Sequence, residues 1–345
     1  MKKRKTILFW IGILVVSMAL VWFIRYTRQW IEISKNINMM GRKSNIQESV
    51  KFDVYYKNSI LKSFNTEEDA IKYAREYKYT YVKKTDKDEW IWNNFDAFIL
   101  YEEDRFINDY TNFSEAIFFA KERENSRIYY KSNKNIIWSN SKSIKESIIL
   151  DAPVILQKPE LPRGCEVTSL AMLLNYAGIK SGKMELAEKI AKDTTAFEIK
   201  DGRVYFGNPN DGFVGDMYSL NNPGYGVYDG PIEKLMEEYM PGKTINLTGC
   251  EFEDLFHFIS NEIPVWVIAN TTYRKLDEDK FDVWITPTGP VEITYKLHAF
   301  LLTGYDKEYI YFNDPFYSKK NIKVNIKDFK EAWNQMGRQA ISYIN

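Results

Sequence analysis

A side-chain amide, a thiol, an imidazole and a carboxylate occur in one order along this chain. Gln157 comes first, then Gly164-Cys165, then His298, then Asn313-Asp314-Pro315. Together they are the groups that acyl transfer through sulfur requires. A thiolate at Cys165 would attack a carbonyl carbon, with His298 holding the proton and returning it to the departing amine. Asp314 would fix the tautomer and orientation of the ring. The Gln157 amide and the Cys165 backbone N–H would donate to the tetrahedral oxyanion, a role whose loss typically costs about 10²- to 10³-fold in rate.

The elements that must hold these groups can be read from local pattern. Pro153, Pro159 and Pro162 punctuate an extended entry. Val167, Leu170, Ala171, Leu173 and Leu174 then recur at helical spacing, with Gly178 as the stop. Cys165 falls in the first turn, where unpaired N–H groups and the positive dipole end favour a thiolate over a thiol. A buried cysteine is more often an inert small hydrophobe. The helix start and the adjoining Gly164 set this one apart.

Residues 264–269, 298–305 and 309–313 read as strands. With Asp306-Lys307-Glu308 as the connection, Tyr305 pairs with Tyr309 and Phe300 lies opposite Asp314. His298 is then the diagonal neighbour of Asp314 on one face, about 7–8 Å away between Cα atoms. A turn one residue shorter or longer puts Asn313 on that face instead. Either residue can orient an imidazole, but only Asp314 also stabilises its charged form. His257, on a predicted helix between Phe256 and Phe258, is the rival base and reads as a structural residue. Residues 207–230, rich in Gly, Asn, Asp and Pro, read as a long surface excursion, either the flank of a cleft or a plain insertion.

Composition narrows the possibilities. Lys plus Arg and Asp plus Glu both total 47, so no net field points to a nucleic-acid partner. Two cysteines and two histidines are too few for a structural zinc site of the usual four ligands, and no cofactor or metal is expected. A Cys165–Cys250 disulfide is the alternative use of the thiols, and it would abolish the chemistry above.

The N-terminus carries a membrane signal. Residues 1–5 are a basic head, and residues 6–24 are uncharged and apolar-rich, rising about 28 Å as a helix, enough to cross a bilayer core. Cleavage after Ser17 or Ala19 would leave an apolar mature end, so an uncleaved single-pass anchor is expected. Basic residues flank both ends and do not decide orientation. The short basic head reads as an export signal, which places the bulk of the chain outside the cytoplasm at the cell membrane. A polar stalk, 25–50, follows.

Residues 51–148 contain two tandem repeats of about 46 residues. Residues 66–74 match 112–120, and Ile91-Trp92 matches Ile137-Trp138. Each unit starts a helix with an oxygen side chain and an acid three residues on, then runs into two aromatic-rich stretches, giving a β-α-β-β reading. Trp92 and Trp138 close small cores on this reading.

From about residue 149 the chain resembles the C-thirty-nine-like (C39-like) cysteine peptidases, relatives of the bacteriocin-processing leader peptidases within the papain-like superfamily. The resemblance rests on the segment from Gln157 through Gly164-Cys165-Glu166 to Leu174. It rests also on the segment from His298 to Asp306, with Asn313-Asp314-Pro315. It implies an α+β, papain-like domain at 149–345, with a nucleophile helix packed on an antiparallel sheet. It also implies Cys165 as nucleophile, His298 as base, Asp314 as orienting acid and Gln157 as oxyanion donor. The leader peptidases are fused to a transporter, for which this chain has neither the segments nor the ATPase motif, so their double-glycine specificity is not transferred. The expectation is a membrane-anchored peptidase acting on peptide or isopeptide bonds in a peptide or protein substrate. Acyl transfer to an amine, or a non-catalytic surface-binding role on the same fold, are the alternatives.

Overall fold

The computed structural model describes residues 25–32 and 52–344. The expected basic head, the expected span at 6–24 and most of the expected stalk lie outside them. Among the described residues no helix is long and apolar enough to cross a membrane. Residues 25–32 are helical, and Trp30 sits edge-on to Tyr56 with centroids 6.4 Å apart.

The chain divides into two compact units. The first holds the first repeat, together with residues 104–106 and 132–134. Its sheet runs Ser59–Phe64, Phe52–Tyr56, Thr80–Lys84, Trp90–Asn93, with the helix Glu67–Ala74 packed on it. Val54, Leu61, Ala70, Ala74 and Val82 fill its small core. The second repeat has the same sheet order in Arg105–Tyr110, Phe98–Glu102, Ser126–Tyr130 and Ile136–Ser139, with the helix Phe113–Lys121.

The repetition extends to single hydrogen bonds. Thr80 Oγ1 donates to Ala74 O at 2.8 Å, and Ser126 Oγ donates to Ala120 O at 2.7 Å. The Asn94 and Asn140 side chains accept from the backbone N–H of Thr80 and Ser126. Thr66 and Asn112 cap their helices by accepting from the N–H three residues on.

Each repeat is β-β-α-β-β, with one strand more than the sequence pattern suggests. The extra strands, Ser59–Phe64 and Arg105–Tyr110, lie at sheet edges. Ser59–Phe64 buries only Leu61, so it carries almost no alternating apolar signal. The turns leading into the two strands use Lys57 and Glu103 at φ 52°, without the glycine that usually marks such a turn.

The second unit holds the rest of the second repeat and everything after it. The division falls within the second repeat. Phe113 of the second repeat is fully buried and lies edge-on to Phe258 at 5.9 Å. Lys121 pairs with the buried Asp254 at 2.6 Å, and the Tyr130 hydroxyl donates to Thr244 O at 2.6 Å.

The centre of this unit is a seven-stranded sheet. Its main path runs Thr244–Asn246, Ala340–Tyr343, Val265–Asn270, Leu297–Tyr305, Tyr309–Asn313, Ile322–Asn325, and Ile148–Ile149 pairs with Leu297–Tyr305 off that path. The helix Cys165–Tyr176 packs on the central strands Leu297–Tyr305 and Val265–Asn270. Trp266, Phe300, Phe312, Phe329 and Trp333 are fully buried in the core.

Residues 207–230 are not a surface excursion. Phe213, Val214, Met217 and Val227 are buried, and Phe213–Val214 pairs in parallel with Lys192–Asp193. The glycines here permit close approach of backbones: a Cβ on Gly212 would meet the backbone of Lys192 and Asp193 at 2.7–2.8 Å.

Candidate active site

Cys165 is the first residue of its helix, and Gly164 is the cap. A side chain at Gly164 would meet Leu161 Cβ at 2.6 Å, so glycine is what lets the entry turn close onto the helix start. Two bonds pin this helix to the sheet: Ser169 Oγ donates to Ala299 O at 3.1 Å, and the Trp266 indole donates to Glu166 O at 3.0 Å. Cys165 thus lies beside Ala299, whose backbone N–H donates toward Sγ, and Ala299 directly follows His298.

His298 and Asp314 are brought together. Nε2 of His298 lies 2.7 Å from Asp314 Oδ1, with both side chains essentially removed from solvent. The same Oδ1 accepts from the Phe316 backbone N–H at 2.7 Å, and Oδ2 accepts from the Tyr273 hydroxyl at 2.8 Å. The imidazole stacks on Phe316 at 4.1 Å and meets Phe300 edge-on at 4.7 Å. Three contacts on the carboxylate and two on the ring leave this pair little freedom.

The register that joins them differs from the expected one at the turn and agrees with it at the site. Next to the turn, Tyr305 pairs with Ile310, one residue beyond the expected Tyr309. A bulge between Leu302 and Gly304 takes up the extra residue, so that Leu302 faces Phe312 and Leu301 faces Asn313. Continued one step, that register sets Phe300 opposite Asp314. Asn313 instead faces the chain's entry, donating from Nδ2 to the carbonyls of Ala152 and Pro153.

Gln157 is buried, and its Nε2 donates to Leu161 O at 3.1 Å and Pro162 O at 3.0 Å. Both amide hydrogens therefore clamp the turn that delivers Cys165. Its Oε1 is buried with no hydrogen-bond partner among the described residues.

The ionisation expected at the helix start is opposed by the surroundings. Burial first, and the neighbouring Glu166 carboxylate second, push the Cys165 thiol well above its ordinary range, against the lowering effect of the Ala299 N–H. This arrangement favours the thiol over the thiolate. Neither cysteine is in a disulfide, and Cys250 is buried separately. His257 is half-buried against Trp138 at 5.5 Å. Burial, with Lys121 and Lys142, lowers its pKa to about 4, so it is neutral near pH 7.

Three features go beyond the sequence reading. Glu166 is fully buried, with Oε2 3.3 Å from Cys165 Sγ and Oε1 accepting from Val227 N–H at 3.0 Å. Tyr273 and Phe316 complete the surroundings of Asp314 and His298. Arg163 donates to the carbonyls of Asp216 and Ser219, and its own N–H to Met217 O, tying residues 207–230 to the approach to Cys165. Only Glu166 had a usable signal, an acid inside an otherwise apolar helical run.

A family model described as the Peptidase C39 like family matches residues 149–341. The uncharacterized protein YvpB of Bacillus subtilis (strain 168) is 44% identical over 186 residues, covering 54% of this chain and 71% of YvpB. A crystal structure described as a C39-like peptidase from Bacillus anthracis superposes with a TM-score of 0.55 at 48% identity, covering 58% of this chain and 98% of that one.

Proposed function

The chain belongs to the C39-like peptidase family, and on that premise we propose that it is a cysteine peptidase hydrolysing peptide or isopeptide bonds through Cys165, His298 and Asp314. The observation that supports this most is the buried 2.7 Å contact between His298 and Asp314 on the strand that receives the Cys165 helix.

Nε2 is committed to Asp314, which leaves Nδ1 as the ring nitrogen for proton exchange. Nδ1 takes the proton from Sγ, and the sulfur's electron pair forms the bond to the substrate carbonyl carbon. The imidazolium then gives that proton to the departing amine as the C–N bond breaks. Asp314 holds the ring in the tautomer with hydrogen on Nε2 and stabilises the charged form. Water, activated in turn by His298, cleaves the thioester and returns the sulfur.

The Cys165 backbone N–H and the Gln157 amide are the oxyanion donors on this reading. Gln157 must release Leu161 O or Pro162 O to take that part, so its donation accompanies substrate binding. Residues 6–24 are proposed as a single-pass anchor with the peptidase region outside the cytoplasm.

The test is incubation of the detergent-solubilised full chain with a peptide library, beside Cys165→Ala. Cleavage by the wild type that disappears in the variant is the expected result. Cleavage that survives the substitution, or none by either protein, overturns the reading.

A further inference from the structure

We propose that Glu166 is a positioning residue for the Cys165 thiol: its carboxylate accepts the resting S–H, and the Gly226–Val227 backbone holds the carboxylate there. This rests on Cys165 being the nucleophile, and it assigns a resting state and its brake to the same site. The two carboxylate oxygens have separate partners. Oε2 faces Sγ at 3.3 Å, and Oε1 accepts from Val227 N–H at 3.0 Å. Gly226 makes this possible, because a side chain there would overlap Glu166 Oε1 and crowd Leu297 Cδ2 at 3.2 Å.

Among the described residues, the groups that shift Glu166 include no cation. Tyr225 and Tyr228, from residues 207–230, lie close enough for the Glu166 charge to raise their own pKa values. Asp314, from the strand end, adds a further negative charge near the sulfur. A carboxylate and a thiolate this close in a buried site strongly disfavour each other. While Glu166 is ionised, the sulfur therefore keeps its proton. Consistent with this, burial raises the Glu166 pKa to about 7, so the brake is set close to neutrality. Activation is a change of hydrogen-bond partner. The S–H leaves Oε2 and its proton passes to Nδ1 of His298 as the sulfur's electron pair forms the bond to the substrate carbonyl carbon, so no free thiolate stands beside the ionised Glu166, which keeps its bond to Val227. Residues 207–230 are thereby coupled to the ionisation of the nucleophile.

The experiment is alkylation of the full chain by iodoacetamide across pH 5.5–9, with Cys165 and Cys250 quantified separately by peptide mass spectrometry. Glu166→Gln keeps the shape and removes the charge. Gly226→Ala keeps the charge and drives the carboxylate from the thiol. Each is expected to raise Cys165 labelling at neutral pH by about tenfold or more, the effect of one pKa unit, with Cys250 still protected. A merely structural role would expose both cysteines or neither. Labelling of Cys165 at or below the wild-type rate in both folded variants overturns the proposal.

The infrared S–H stretch of the unmodified chain decides independently of any variant, read against Cys165→Ser. A Cys165 band at lower frequency than that of Cys250 is expected for a thiol bonded to a carboxylate. Absence of that band at neutral pH, the mark of a resting thiolate, overturns it. Neither readout uses peptide cleavage, so either can fail while the peptidase reading stands, and the converse.

Discussion

Replacing Asp314 by Asn and by Ala separates geometry from charge. Both His298 Nε2 and the Phe316 N–H meet the same oxygen, Oδ1, while Oδ2 meets the Tyr273 hydroxyl. An asparagine with its oxygen at the Oδ1 position keeps the first two bonds. Its NH₂ then faces Tyr273, whose hydroxyl can rotate to accept. The flipped amide would set N–H against the Phe316 N–H, so the Phe316 backbone pins the orientation that preserves the His298 tautomer. Asp314→Asn should therefore lose only stabilisation of the imidazolium, about tenfold in kcat/KM. That is far from the ~10⁴-fold loss seen when such a change gives the wrong tautomer.

Asp314→Ala leaves the buried His298 Nε2–H without an acceptor, while the N–H of the partly exposed Phe316 can turn to water and Tyr273 can re-aim. At about 1–3 kcal/mol for the one orphaned buried group, the cost to stability is roughly 2 kcal/mol. The ring is also freed, for a rate loss of about 10³-fold. The assay is kcat/KM on a peptide selected from the library, with thermal melting of each variant. Asp314→Asn falling as far as Asp314→Ala while melting like the wild type would refute the pinning argument. Full activity in Asp314→Ala would refute the role of the carboxylate altogether.

Other predictions follow from single contacts. Glu166 holds its proton longer in the folded chain, at a pKa of about 7 against the ordinary 4.5. The destabilisation it causes is absent below about pH 4.5, grows through the interval and is complete above about pH 7. Glu166→Gln should thus melt with the wild type near pH 4.5 and above it at pH 8 by about 3 kcal/mol, roughly 5–10 °C; equal melting at pH 8 would contradict this. A fragment starting at residue 149 loses Phe113 from Phe258 and Lys121 from Asp254, so it should unfold at lower denaturant than one starting at residue 96, and coincident denaturation curves would count against the shared core. Gln157→Ala should lower kcat about 10²- to 10³-fold if the amide serves the oxyanion; a change confined to stability would leave Gln157 as a clamp on the turn.

Several elements were legible because their signals are local. The helix from Cys165 shows its apolar spacing, and Gly178, read as its stop, has φ 83°. The strands Val265–Asn270, Leu297–Tyr305 and Tyr309–Asn313 are largely apolar runs close to the expected bounds. The His298–Asp314 proximity was reached through a turn expected one residue too short, and the bulge at Thr303 cancelled the difference. Two offsets of one residue are invisible separately in a sequence, because only their sum decides which side chains share a face.

What escaped the sequence is set by tertiary placement. The edge strands Ser59–Phe64 and Arg105–Tyr110 have little to bury and so little to display. Residues 207–230 look polar and irregular, yet their glycines let backbone pack where side chains would not fit. The surroundings that act on Cys165 are likewise set by tertiary placement. A helix start favours a thiolate by a modest amount, whereas burial and an adjacent carboxylate act in the opposite direction and outweigh it. The position of Cys165 was readable from its neighbours in sequence, but its ionisation depends on Glu166 being held inward by Val227.

The most direct measurement is covalent trapping of the full chain by a peptidyl epoxide, which needs a nucleophilic sulfur with a general acid beside it. Intact mass and peptide mapping should show a single adduct on Cys165, none on Cys250, and a rate lowered at least a hundredfold in His298→Ala. An adduct that forms equally fast without His298, or that falls on Cys250, would contradict the account.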